Sequence, residues 1–218
     1  LFPGGREIPF KGTTFSQKIA LTQEWINEGL NDIYEATFEY DGVLVMVDVL
    51  HKKSNGSFEI YEVKSSTEAK DIFRHDASIQ YYVLNGLGYD VSDVYITILN
   101  TDYIRDDELD VQQLFIHVKV TDDVLALQGN IPATLGKFRE TLTDRVNEPD
   151  IDIGRHCKKP YPCDAIDYCW KRQRDIPEYS VFDIFQMNQT PKSVQLYKDG
   201  IVAVEDIPDD MKLTDIQQ

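Results

Sequence analysis

The stretch Gly42–Lys64, GVLVMVDVLHKKSNGSFEIYEVK, decides the fold. Gly42 to Leu50 is almost continuously apolar and rich in valine, the pattern of a strand covered on both faces. Ser54-Asn55-Gly56 is a turn signal, and Ser57 to Lys64 reads as the returning strand. Into these strands fall Asp48, Glu62 and Lys64. Desolvating a lone charge is costly, so ionised groups are seldom buried unless they pair or hold a metal. Three of them at the ends of two neighbouring strands point to a site. The competing reading is an Asp and a Glu–Lys pair on a solvated rim.

Parity sharpens the choice. Glu62 and Lys64 share one face of their strand, about 7 Å apart along it. A two-residue turn on Asn55-Gly56 pairs Asp48 with Val63 and sends its carboxylate to the opposite face. A three-residue loop, Ser54-Asn55-Gly56 with Gly56 left-handed, pairs Asp48 with Glu62. Their β-carbons then lie about 5 Å apart, within reach of one hard cation. A metal site therefore requires the three-residue loop or an equivalent bulge.

Outward from this hairpin, Leu1 to Thr14 has no period and reads as an irregular lead-in. Ser16 to Gly29 is a predicted helix with Ser16 as N-cap, Gly29 as its stop, and Leu21, Trp25 and Ile26 on one side. Ile33 to Tyr40 is a first strand carrying Glu35. Lys70 to Gly88 is a helix whose apolar stripe is Phe73, Ala77, Leu84 and Leu87. Gln80 lies within that stripe and Asp76 on its border. A Gln facing the core needs polar partners, which the carboxylates, a substrate strand or buried backbone groups would supply. Val94 to Asn100 and Val111 to Val120 are predicted strands joined by the acidic loop Asp102–Asp110. Val124 to Val146 is a helix interrupted near Pro132. The order α-β-β-β-α-β-β-α predicts an α/β fold, a mixed central sheet flanked by helices.

Asp48, thirteen intervening residues and then Glu62-Val63-Lys64 resemble the D…ExK signature of the PD-(D/E)xK nuclease superfamily. Glu35 in YEATFEYDG and Gln80-Tyr81-Tyr82 extend the likeness to its RecB-like branch, which includes iron–sulfur CRISPR-associated exonucleases. The resemblance spans roughly Ile33 to Trp170. It implies a Mg²⁺- or Mn²⁺-dependent nuclease acting on DNA, on single strands or ends, with a connection to DNA repair. Asp48 and Glu62 would bind the metal, with Val63 adding its carbonyl and Glu35 a further contact. Lys64 would orient the attacking water or stabilise developing charge, and Gln80 would position carboxylates or substrate. The family's QxxxY spacing is not kept, since Tyr81 and Tyr82 directly follow Gln80. Glu35 also reads as an ordinary rim carboxylate.

All three cysteines, Cys157, Cys163 and Cys169, fall within thirteen residues as Cys-x5-Cys-x5-Cys. Such clustering suggests metal ligation before disulfides; three unrelated thiols are the alternative. Zinc with His156 or another His as fourth ligand is one option, although the CxxC spacing usual for structural zinc is absent. The resemblance implies instead a [4Fe–4S] cluster, whose fourth cysteine lies ahead of the nuclease core in the family. No such cysteine occurs here. The chain begins at Leu1 without Met, so a longer natural protein carrying that cysteine is expected.

At 218 residues with 42% hydrophobic and 11% aromatic content, the chain can bury a substantial core. No run of roughly eighteen apolar residues and no signal peptide are present, so a soluble cytoplasmic protein is expected. The expected division is a nuclease domain over 1–175 and a helical extension over 176–218, with helical pieces at Ser180–Met187 and Pro191–Lys198. The net charge of −16 opposes strong phosphate binding. Lys158, Lys159, Lys171, Arg172 and Arg174 nevertheless cluster, whereas Asp106–Asp110 and Glu205–Asp210 are acidic. Two rivals follow: a nucleic-acid-binding or interaction module that keeps the fold without turnover, and a sugar- or nucleotide-processing enzyme using the same carboxylates. No glycine-rich phosphate loop supports nucleotide hydrolysis.

Overall fold

The computed structural model describes residues 1–187 and 190–214. Residues 188–189 and 215–218, parts of the expected C-terminal extension, lie outside the described residues. The chain forms two compact units, Leu1–Thr143 and Asp144–Gln218.

The first unit is an α/β domain on a six-stranded mixed sheet in sequential order. Its strands are β1 (Arg6–Glu7), β2 (Asp32–Tyr40), β3 (Val43–Lys52), β4 (Phe58–Val63), β5 (Val91–Leu99) and β6 (Phe115–Lys119). β1 runs parallel to β2, and β2, β3 and β4 form an antiparallel meander. α2 (Asp71–Gly86) then crosses over to β5, which lies parallel to β4. β6 closes the sheet antiparallel to β5. The remaining helices are α1 (Phe15–Asn27), α3 (Val111–Leu114), α4 (Thr121–Leu127) and α5 (Ile131–Thr143).

The decisive hairpin closes as the site reading requires. Lys53 N–H donates to Ser57 O and Gly56 N–H to Lys53 O, leaving Ser54-Asn55-Gly56 as a three-residue loop. Gly56 is left-handed at φ 90°. The pairs Lys52↔Phe58 through Val49↔Tyr61 fix the register, and one step further Asp48 stands opposite Glu62. At the other end of β3, Asp41 (φ 52°) and Gly42 (φ 68°) form a two-residue left-handed turn between Tyr40 and Val43. Gly42 therefore belongs to that turn and not to the strand expected to start there.

The core joins Ile33, Leu50, Ile60, Val94, Ile96 and Ile98 of the sheet to Phe73, Ala77, Val83 and Leu84 of α2. Several expected boundaries move for local reasons. The cap of α1 is Thr14, not Ser16, because Thr14 and Gln17 satisfy one another's backbone N–H groups in a capping box. Leu87 is 44% exposed, since α2 ends at Gly86 and the chain turns away. Val111–Leu114 is a helical turn instead of strand: Asp110 Oδ1 accepts from the N–H groups of Gln112 and Gln113, and alternation begins only at Phe115. The break in the last helical stretch is a 3₁₀ turn at Gln128–Asn130, and that stretch runs from Thr121 to Thr143. Within the lead-in, Arg6–Glu7 forms a short strand.

The second unit has its own core of Ile153, Cys157, Val181, Phe182, Ile184, Met187 and Leu196, with Trp170 packed 4.9 Å from the Phe182 ring. This is why the units separate after Thr143 and not after residue 175: the cysteine segment and the C-terminal stretch bury each other's apolar groups. α6 (Pro191–Lys198) forms where expected. Ser180–Met187 is a chain of turns, because Asp183 Oδ2 takes both the N–H and the hydroxyl of Ser180 and competes with a helical ladder. Among the described residues no helix is long and apolar enough to cross a membrane.

The left-handed Gly56 has open space around the position of a β-carbon. Gly56→Ala therefore meets no clash and tests the backbone alone. It should lower stability by about 1 kcal/mol in urea unfolding; an unchanged midpoint would show that the loop does not hold this conformation in solution.

Candidate functional site

Three carboxylates lie at one level of three adjacent strands. Tyr34↔Val49 and Ala36↔Val47 flank Glu35 and Asp48, so Glu35 on β2 is level with Asp48 on β3, and Asp48 with Glu62 on β4. Glu35 holds φ 57°, a left-handed conformation that a non-glycine residue adopts at a cost of about 1 kcal/mol. The Thr37 hydroxyl donates to the Glu35 carbonyl at 2.9 Å and steadies this peptide.

Glu62 is 7% exposed. Its Oε2 accepts from Gln80 Nε2 at 2.5 Å and its Oε1 lies 2.8 Å from Lys64 Nζ. Lys64 Nζ also meets Asp76 Oδ2 at 2.9 Å and sits 5.2 Å from the Phe73 ring centre. Asp48 Oδ2 accepts the Val63 N–H at 2.6 Å, which ties the ends of β3 and β4 together. Thus Asp48 with Val63, and Glu62 with Lys64, Gln80 and Asp76, form two bonded groups joined through the backbone of β4, and Glu35 faces them electrostatically. Tyr81 packs at the edge of the core and Tyr82 donates to Asp41, so neither tyrosine belongs to them. His51 is engaged by Asp32 at 2.7 Å.

Burial and crowded negative charge shift the carboxyl groups of the site. Asp48 is raised from 3.8 to about 6, first by burial, then by Glu62, against the pull of the Val63 N–H; Glu35 adds to the rise and Lys64 opposes it. Glu35 is also raised, by burial, then by Glu7, with Lys18 lowering it and Glu62 raising it further. Burial opposes the charge on Lys64, but hydrogen bonds to Glu62 and Asp76 outweigh it and lift the ammonium above the ordinary lysine value. Lys64 therefore stays protonated at neutral pH and acts as a cation, not as a base.

Among the described residues no three His, Cys, Asp or Glu side chains converge as a finished ligand set for one ion. At this site both Glu62 oxygens are taken, by Gln80 and Lys64. Two features suit a hard divalent cation nonetheless. The carboxylates repel one another, and Gln80 Oε1 is buried without a hydrogen-bond partner.

In the second unit, Cys157, Cys163, Cys169 and His156 line one cavity of 310 Å³ with Ile153 and Ile166. Cys157 is buried, Cys169 half-buried and Cys163 exposed. The basic cluster is partly neutralised within this unit: Arg174 pairs with Asp152, Lys171 with Asp167, and Lys158 lies over the Trp170 ring.

No protein-family model matches the chain, and no curated protein matches it. The sequence reading found Asp48, Glu62, Lys64 and Gln80 as a group but missed Glu7, Lys18 and the Lys64–Asp76 ion pair. Lys18 had a signal: with Thr22 and Ile26 it forms an i, i+4, i+8 row, the buried face of α1.

A carboxyl group raised by folding stabilises the protein below its unfolded value of 3.8, and that contribution is lost as pH rises through about 6. Asp48→Asn should therefore raise stability at pH 7 by about 1–2 kcal/mol, allowing for the solvent that still reaches the group. The difference between variant and wild type should shrink between pH 6 and pH 4. Denaturant titrations across this range check it; a destabilised variant at pH 7 would show that the Asp48 charge is compensated in the protein.

Proposed function

We propose that the unit Leu1–Thr143 is a metal-dependent nuclease of the RecB-like PD-(D/E)xK type, acting on DNA at single strands or ends. The observation that carries this reading is the pairing of Asp48 opposite Glu62, with Lys64 on Glu62 and Gln80 behind it. Two carboxylates able to hold a divalent cation beside a fixed ammonium would serve phosphodiester hydrolysis, whereas a solvated rim would not bury them.

Asp48 and Glu62 would hold Mg²⁺ or Mn²⁺, with the Val63 carbonyl and Glu35 as further oxygen donors. When bound, the ion supplies positive charge that acidifies water and offsets charge developing on the phosphate. The chain's own residues supply the rest. Gln80 fixes the Glu62 carboxylate through Nε2, and its free Oε1 is an acceptor for a water at the site. Lys64, permanently charged and held from two sides, presents an ammonium to a phosphate oxygen and to the attacking water. Asp76 anchors Lys64 and so sets where that charge stands.

Cys157, Cys163, Cys169 and His156 border one cavity, and a metal centre there would draw on these donors, zinc through His156 or an iron–sulfur cluster through the thiols. An iron–sulfur cluster held by Cys157, Cys163 and Cys169 would clamp this segment in a structural role.

With Mn²⁺, the purified protein should degrade single-stranded DNA, and chelation should abolish the activity. Asp48→Ala, Glu62→Ala and Lys64→Ala should each lower kcat by about 10³-fold or more, with the fold retained by circular dichroism; Gln80→Ala should cost less. Full activity in Lys64→Ala would refute the assigned role, and DNA binding without cleavage would assign an inactive nuclease-fold module. Anaerobic reconstitution with iron and sulfide should give a brown protein whose visible absorbance is lost in Cys163→Ser. A colourless product would reject the cluster.

A further inference from the structure

A second cation is buried near the carboxylates. Lys18 on α1 is only 4% exposed. Its Nζ lies 4.0 Å from Met46 Sδ, 4.8 Å from the Phe10 ring centre and 5.8 Å from that of Phe15. Among the described residues it forms no ion pair. Two aromatic faces and a thioether compensate a desolvated ammonium only in part. Met46 lies two residues before Asp48 on β3, on the same face of the strand, and pairs with Thr37, two residues beyond Glu35.

The rings above Lys18 are unusual in the opposite sense. Phe10 is 73% exposed and Phe15 55% exposed, so two large apolar faces stand in water on either side of the helix start. A single strand of DNA satisfies all three groups together: a phosphate answers the ammonium, and unpaired bases offer flat faces to the rings. A duplex cannot, because its bases are already stacked on each other.

We infer that Phe10, Phe15 and Lys18 grip one or two nucleotides of single-stranded DNA beside the carboxylate site, bases on the rings and a phosphate on the lysine. This rests on the nuclease reading and narrows its substrate class to strands with unpaired bases. The Phe10 ring moves off Lys18 Nζ when a strand enters, and Lys18 Nζ then exchanges the ring face for the phosphate. Lys64 remains the cation of the reacting phosphate, and Lys18 holds a neighbouring one.

The test is steady-state cleavage of fluorescein-labelled oligo-dT with Mn²⁺ at several salt concentrations. Phe10→Ala/Phe15→Ala should raise KM by roughly 5- to 150-fold for each base that stacks, with kcat changed less than about twofold. Lys18→Met should raise KM and reduce the salt slope by about one, and Lys18→Arg should restore that slope. Wild-type KM and salt slope in both the double variant and Lys18→Met would overturn the inference and leave the nuclease reading standing. Should Lys18→Met fail to fold, the exposed phenylalanine pair decides: unchanged KM overturns, raised KM supports. A wild-type protein that cleaves no DNA would remove the nuclease reading and this grip with it.

Discussion

The buried carboxylate of Glu62 is the group on which the site depends. It comes from a strand end, it is shielded from water by α2, and its two oxygens are met by Lys64 and Gln80. Removing either neighbour would leave a buried acceptor unsatisfied, at a cost of about 1–3 kcal/mol or more for a charged group. α2 meets that requirement with Gln80, which stands within its apolar stripe and reaches the carboxylate. The same helix also explains why Lys64 is held from both sides: Asp76, one helical turn before Gln80, fixes the far side of the same ammonium.

Around Glu62 the chain accepts costs that a purely structural sheet would avoid. Asp48 is raised to about 6 and Glu35 is raised as well, both chiefly by burial. Glu35 also occupies a left-handed backbone conformation within a strand. Like charges at one level of a sheet destabilise it, and strained or repelling groups collect where function requires them. Lys18 is the same kind of feature with opposite sign.

Much of this was legible in the sequence. Side chains alternate with period two along a strand, so the single question of loop length at Ser54-Asn55-Gly56 determined which face Asp48 would take. Gln80 stood out because a polar residue within the α2 stripe needs partners. Other features were not legible. Glu7, whose charge raises Glu35, is brought alongside by a two-residue parallel pairing of β1 with β2, which carries no periodic signal. The stretch before Phe115 looked like alternating strand until the Asp110 cap intervened. The boundary between the units was hidden because Phe182 and Leu196 pack with Ile153 and Cys157, which are distant in sequence. Lys18 was readable from its row with Thr22 and Ile26, which adjoins the expected side of Leu21, Trp25 and Ile26 that packs into the core.

Asp48 and Glu62 are proposed as the two arms of a divalent-cation site. Anomalous diffraction from crystals soaked in Mn²⁺ addresses this proposal without reference to activity or substrate. A manganese peak bonded to carboxylate oxygens of both Asp48 and Glu62 is expected, with Lys64 Nζ or Gln80 Nε2 displaced from the Glu62 oxygen that the ion takes. A soaked crystal in which Glu62 remains bridged by Lys64 and Gln80, with no manganese at Asp48, would contradict it.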